Sequence, residues 1–158
     1  EQYLVAGRER YELDGPHYLF GFARWEKDRF AGYDQQLSAI GGYGRQILEN
    51  DTHVFSLEAG PGYRHDRLRE HGDYRLAVAY TALDYHWFFS DYADIQQEMS
   101  FEYTDQNTTS RSLTALTARL NSKLSLRLSH EIKHNSQPPD DTSERTDNTT
   151  SASLLYRW

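Results

Sequence analysis

Along this chain of 158 residues, apolar and polar side chains exchange places at every second position, in segment after segment. Such a repeat puts the apolar residues on one side of an extended strand and the polar ones on the other. In 124–134, Leu124, Leu126, Leu128 and Ile132 oppose Ser125, Arg127, Ser129, Glu131 and Lys133. In 53–65, Phe55, Leu57, Ala59 and Tyr63 oppose Ser56, Glu58, Gly60, Gly62 and Arg64. In 92–103, Ile95, Met99, Phe101 and Tyr103 share a side with Gln97, facing away from Gln96, Glu98, Ser100 and Glu102. Helical spacing is hard to find, and its best candidate, "FAGYDQQLSAIGGYG", is broken by glycines.

The pattern divides the chain into nine extended segments, at 3–13, 17–27, 36–48, 53–65, 74–89, 92–103, 112–121, 124–134 and 148–158. Ordinary globular strands run to about 5–6 residues. A tilted strand crossing a bilayer needs about 9–11, and most of these segments are that long. A half-buried soluble sheet also alternates. Here, however, the polar face carries large charges of both signs in strand after strand.

Connections and aromatics point the same way. "LDGPH" (13–17), "LENDTH" (48–53), "SDYAD" (90–94) and "NSK" (121–123) are tight and rich in turn formers. Between them, 27–35, 64–73, 103–112 and 134–148 are longer and highly polar, so short and long connections alternate. Outer-membrane barrels show that alternation, with short periplasmic turns and longer external loops. Trp87, Phe89 and Tyr92 flank one short turn, and Tyr156 and Trp158 belong to the same side. Tyr63 and Tyr103 fall at the opposite ends, as two interfacial girdles require. Tyrosine is also simply a good strand former.

Bulk composition excludes several classes. The net charge of −7 argues against a general nucleic-acid binder, which needs a basic footprint. With no cysteine there is neither a disulfide framework nor a thiolate metal site. No apolar run approaches the roughly 20 residues of a spanning helix, a test to which barrel strands are blind. No signal peptide is found in these residues, so any targeting segment is expected to have been removed or to lie outside them.

The chain ends "NTTSASLLYRW", with Ala152, Leu154, Tyr156 and Trp158 on one face. This resembles the C-terminal signature of bacterial outer-membrane proteins, which the barrel assembly machinery reads. The expected fold is therefore all-β, an antiparallel up-and-down transmembrane barrel in a single domain. Strand parity adds a condition: bacterial single-chain barrels have an even strand number, and nine is odd. At least one strand, or three, is expected ahead of Glu1, unless another chain supplies the missing edge. An open edge of unpaired amides does not sit in lipid.

Three stretches carry a family resemblance over almost the whole chain: "DRFAGYD", "LEAGPGYR", and the "HNSQPP" that precedes "RTDNTTSASLLYRW". They are similar to the bacterial family described as salt-induced outer membrane proteins, also called YdiY-like. The resemblance implies an outer-membrane location, a signal peptide and additional N-terminal strands, with a full barrel of about twelve strands, an even number. It implies no defined activity beyond a link to salt or osmotic stress.

In such a barrel the lumen receives Arg8, Arg10, Glu12, Arg24 and Glu26 from the first strands. Glu58, Arg64, Asp84, His86, Glu98 and Glu102 follow from the middle of the chain, then Arg119, Arg127, Glu131, Lys133 and Arg157. Interspersed signs suggest cross-strand ion pairs that fill the interior, ahead of a single-sign ring that would select ions. Glu9 falls on the nominal lipid face, against the pattern. Asp84 and His86 share a face and could orient a general base, but no serine or second acid accompanies them, so a hydrogen-bonded lumen pair is expected. His65 with His71, and His130 with His134, lack the further ligands of a metal site. "GGYG" and "GPG" precede no helix and are not phosphate cradles; strand bends or close packing are expected there. The expectation is a porin-like or structural barrel that is not an enzyme and holds no metal or cofactor. Its partners would be outer-membrane lipid and lipopolysaccharide, the assembly machinery, and a protein or polysaccharide docked on the polar external loops, especially 134–148.

Overall fold

The computed structural model describes residues 2–28, 33–68, 72–136 and 145–156. Nine strands follow in chain order: β1 (Gln2–Glu12), β2 (His17–Asp28), β3 (Tyr33–Glu49), β4 (His53–Leu68), β5 (Gly72–Ser90), β6 (Ala93–Tyr103), β7 (Thr108–Arg119), β8 (Leu124–Asn135) and β9 (Thr146–Tyr156). Each pairs antiparallel with its neighbours in sequence, forming one nine-stranded sheet. The region around the broken helical candidate is strand throughout β3. Among the described residues β9 does not pair with β1, so the sheet is open rather than a closed barrel.

The connections at one end are short for identifiable reasons. Gly15, the one described residue with positive φ (73°), turns the chain between β1 and β2, and Leu13 N–H donates to the His17 carbonyl across 2.9 Å. Asn50 Oδ1 accepts from the backbone N–H groups of Thr52 (2.9 Å) and His53 (2.7 Å). Asn121 Oδ1 does the same for Lys123 and Leu124, both at 2.9 Å. Both are side-chain-capped turns that the asparagines encode locally.

The opposite end corrects the expected contrast in loop length. β4 continues to Leu68 and β5 starts at Gly72, and β6 and β7 are joined by Thr104–Asn107 alone. Within that turn Thr104 Oγ1 donates to the Asn107 carbonyl at 2.7 Å. Only the connection between β8 and β9 is long. Polar residues on both faces read as loop in a sequence, but a two-stranded ribbon in water needs no apolar face to keep its backbone paired.

The sheet does not stay flat. Between β3 and β4 the register has partners at Ile40↔Gly62 and Tyr43↔Ala59, and the intervening Gly42 and Gly60 meet backbone to backbone. A Cβ on Gly42 would overlap the Ala59 carbonyl, and one on Gly60 the Gly41 carbonyl. Beside them, Gly44 leaves room for the Tyr18 ring and Gly62 for Ile40. The glycines expected to mark bends therefore let the sheet curl sharply. Strands three apart come into contact, and Tyr18, Phe20, Ile40 and Val78 form a small buried cluster on the inner face. Phe20 of β2 meets Tyr80 of β5 with ring centroids 5.8 Å apart.

Gly42→Val should cost about 1–3 kcal/mol or abolish folding. Gly7→Val, at a site where a Cβ meets nothing within 4 Å, should change stability by less than about 0.5 kcal/mol. Urea unfolding of the two variants followed by tryptophan fluorescence checks the contrast.

Candidate functional site

On the curled inner face, β1 and β2 contribute arginines and β4 to β6 contribute carboxylates. Glu58, almost fully buried, is ion-paired with Arg8 and accepts a hydrogen bond from Tyr18 Oη at 3.0 Å. The Arg10 guanidinium lies 3.6 Å from the Tyr18 ring centroid, and Arg8 stands 5.5 Å from that of Phe20. Arg10 also reaches Glu12 (2.7 Å) and Gln46 (3.3 Å). The expected cross-strand ion pair is thus made across the curl, from β1 to β4, rather than between neighbouring strands. Sequence reading missed Tyr18 and Tyr80. Both face inward, Tyr18 beside Phe20 and Phe22 on β2 and Tyr80 against Phe20 from β5.

A second polar group lies further along. Gln96 Nε2 donates to Glu98 Oε1 (2.8 Å) and Asp84 Oδ2 (3.2 Å), while its Oε1 accepts from Arg127 Nη2 (3.1 Å). One amide on β6 thereby bridges two carboxylates to a guanidinium two strands away, on β8. His86 does not pair with Asp84, as expected from their spacing. Its Nε2 lies 2.6 Å from Oδ2 of the buried Asp94 on β6, and its ring lies tilted against Phe88 with centroids 4.1 Å apart. The i, i+2 spacing put Asp84 and His86 on one face, but the diagonal partner on the next strand is nearer than the next-but-one residue in the same strand. Arg119 donates to the Asp91 carbonyl (3.4 Å), and Arg111, which the sequence reading passed over, meets Glu131 at 3.6 Å.

Between these groups lies a cavity of about 580 Å³, lined by Arg8, Arg10, Tyr80, Glu98, Glu102 and Arg111, among others. Arg8, Arg10 and Arg24 line it from β1 and β2 and Glu58, Asp84, Glu98 and Glu102 from β4 to β6, with both signs again at Arg111 and Glu131 on β7 and β8. Arg24 and Ser38 face the same interior higher up, where Arg24 Nε and Ser38 Oγ are buried without hydrogen-bond partners. Lys133 shares the inner face of β8 with Glu131. The side chain of Glu26 lies outside the described residues.

The outer face is apolar and aromatic. Tyr63, Trp87, Phe89, Tyr92, Tyr103 and Tyr156 are all exposed, and so is Leu154. Trp87, Phe89, Tyr92 and Tyr156 lie at the end with the short turns; Tyr63 and Tyr103 lie toward the other. Two histidine–tyrosine pairs add to this belt: His17 with Tyr43, and His53 with Tyr85 at 2.8 Å, His53 also stacking on Trp87. Glu9 is exposed on this face opposite Gly21, with no shift of phase in β1. Ala152 and Tyr156 follow the alternation of β9, whereas Arg157 and Trp158 lie outside the described residues, as does most of the expected docking loop, 137–144. Among the described residues no cluster of three or more histidines and carboxylates could hold a metal.

Comparison with known proteins places this architecture. The model of the family described as "Protein of unknown function, DUF481" matches residues 1–158. The chain belongs to this family. A relative from Escherichia coli (strain K12), "Uncharacterized protein YdiY", is 35% identical over 156 residues, 99% of this chain. The chain spans 62% of that relative's length. The YdiY-like resemblance thus stands on the full extent of the chain.

Glu58→Gln should destabilise the fold by about 1–2 kcal/mol, at the low end for a buried charged group because the abandoned Arg8 still reaches cavity water. Tyr18→Phe, which keeps the ring over its glycine, should cost about 1 kcal/mol. Unfolding midpoints at unchanged denaturant dependence check both.

Proposed function

We propose that this DUF481 chain is most of an integral outer-membrane β-barrel, structural rather than catalytic, with an interior largely filled by its own side chains. The observation carrying the proposal is the sorting of the two faces over nine long strands. Ion pairs, amides and a small aromatic cluster line the inside of the curl, while leucines, tyrosines and tryptophans cover the outside. In water that outer surface is an aggregation hazard; against hydrocarbon it is the stable arrangement. Closure comes from further strands pairing with the free edges of β1 and β9, in a barrel of about twelve strands. An open edge in lipid would leave several kcal/mol per unpaired group uncompensated.

A second reading, a narrow porin-like channel, is favoured by the cavity, whose arginines and carboxylates would pass small polar solutes. The link to salt or osmotic stress belongs with this reading and rests on the family resemblance alone. Planar-bilayer recordings of the full-length protein separate the two. The structural reading predicts silent membranes for the natural protein and discrete conductance once Tyr18, Phe20 and Tyr80 are together replaced by alanine. Steady ion-selective conductance from the unaltered protein would establish the channel instead.

A further inference from the structure

The outward surface of β7–β9 breaks the apolar pattern, and we propose that it is the face on which two copies of this protein meet within the membrane. The inference rests on the membrane reading above. Register places Thr108 beside Tyr103, Leu116 beside Ile95, and Ile95 beside Trp87. The outward positions of β7 between those two levels are Ser110, Ser112 and Thr114. Across β8 and β9, Thr114 continues into His130 and Thr150, and Ser110 into His134 and Thr146. Between those rows Ser112 continues through Ile132 to Asn148. At the same levels β5 presents Thr81, Leu83 and Tyr85. A polar panel therefore sits between the levels of the two aromatic girdles, where hydrocarbon offers it no partner.

The panel is hydrogen-bonded within itself. Gln97 Nε2 donates to Ser112 Oγ (2.9 Å), and Thr114 Oγ1 donates to Gln97 Oε1 (2.6 Å). His130 Nδ1 lies 2.8 Å from Thr150 Oγ1, and His134 Nδ1 2.8 Å from Thr146 Oγ1. These bonds reduce the cost of leaving water, but each group has further hydrogen-bonding capacity.

Three observations select a second copy as the occupant. Added strands extend the sheet in its own plane at β9 and leave its outer face uncovered. No aspartate, glutamate, lysine or arginine stands outward on β7, β8 or β9, so a charged partner has nothing to pair with. Hydroxyls, imidazoles and an amide each donate and accept, so the panel complements itself across a two-fold axis. Its small serines and threonines also let two backbones approach, as the bulky rings on β5 do not.

The chain contains no cysteine, so single-cysteine variants of the full-length protein, with any cysteine outside this chain replaced by serine, report unambiguously. In vesicles under mild oxidation, Thr150→Cys and Asn148→Cys should cross-link to dimers, and Trp87→Cys should not. Native mass spectrometry from detergent should give a dimer. The triple variant Ser112→Leu, Thr114→Val, Thr150→Val should weaken it by at least about tenfold while keeping the heat-modifiable gel mobility of a folded barrel. A folded, membrane-inserted monomer, equal cross-linking at position 87, or a lipopolysaccharide adduct on a monomer that the triple variant loses would each overturn the proposal and leave the barrel standing. A protein that stays monodisperse without detergent would overturn both.

Discussion

Where β3 passes β4, Gly42 and Gly60 touch backbone to backbone, and the rest of the interior depends on that contact. A side chain at either position would hold the strands apart and flatten the sheet. The curl brings β1 within reach of β4, so Arg8 can pair with Glu58, and it brings β2 against β5, so Phe20 can meet Tyr80. Tyr18 and Ile40 occupy the volume vacated by Gly44 and Gly62. The stabilisation these contacts provide is therefore contingent on residues that contribute no contact area themselves.

The same geometry explains how so charged an interior is tolerated. Glu58 is buried, but it meets a guanidinium and a phenol together, and a buried charge is tolerated only with such company. Farther round the sheet, where curvature is not forced by glycine pairs, the polar groups of β5, β6 and β8 are linked through Gln96. The interior thus grades from a tight, partly aromatic cluster at β2–β5 to a looser hydrogen-bonded network at β5–β8, with the cavity between them.

Much of the architecture was legible in the order of residues. A period-two pattern survives any curvature, so nine strands and their inward and outward faces follow from alternation alone. The ribbon ends of β4 and β5 did not, because polarity on both faces looks the same in a loop and in a solvated hairpin. Nor did the partners of Glu58 and His86. Alternation assigns a face but not a depth, and the curl, which sets depth, is encoded in four glycines whose mutual contact needs the register to be known. The polar panel on β7–β9 was equally hidden: most of "TTSRSLT" (108–114) reads as the polar connection 103–112 until the register places it in β7 and shows which of its residues face outward.

The central claim is that lipid covers the outer face. Depth-dependent fluorescence quenching tests it most directly. In a full-length variant with Trp25, Trp158 and any tryptophan outside this chain replaced by phenylalanine, Trp87 reports alone from its place beside His53 and Ile95. In vesicles of lipids brominated at successive acyl positions, the account predicts strong quenching of Trp87, greatest for bromines near the headgroup and declining toward the chain ends. Emission indifferent to brominated lipid, from a protein that remains dispersed in plain buffer, would contradict it.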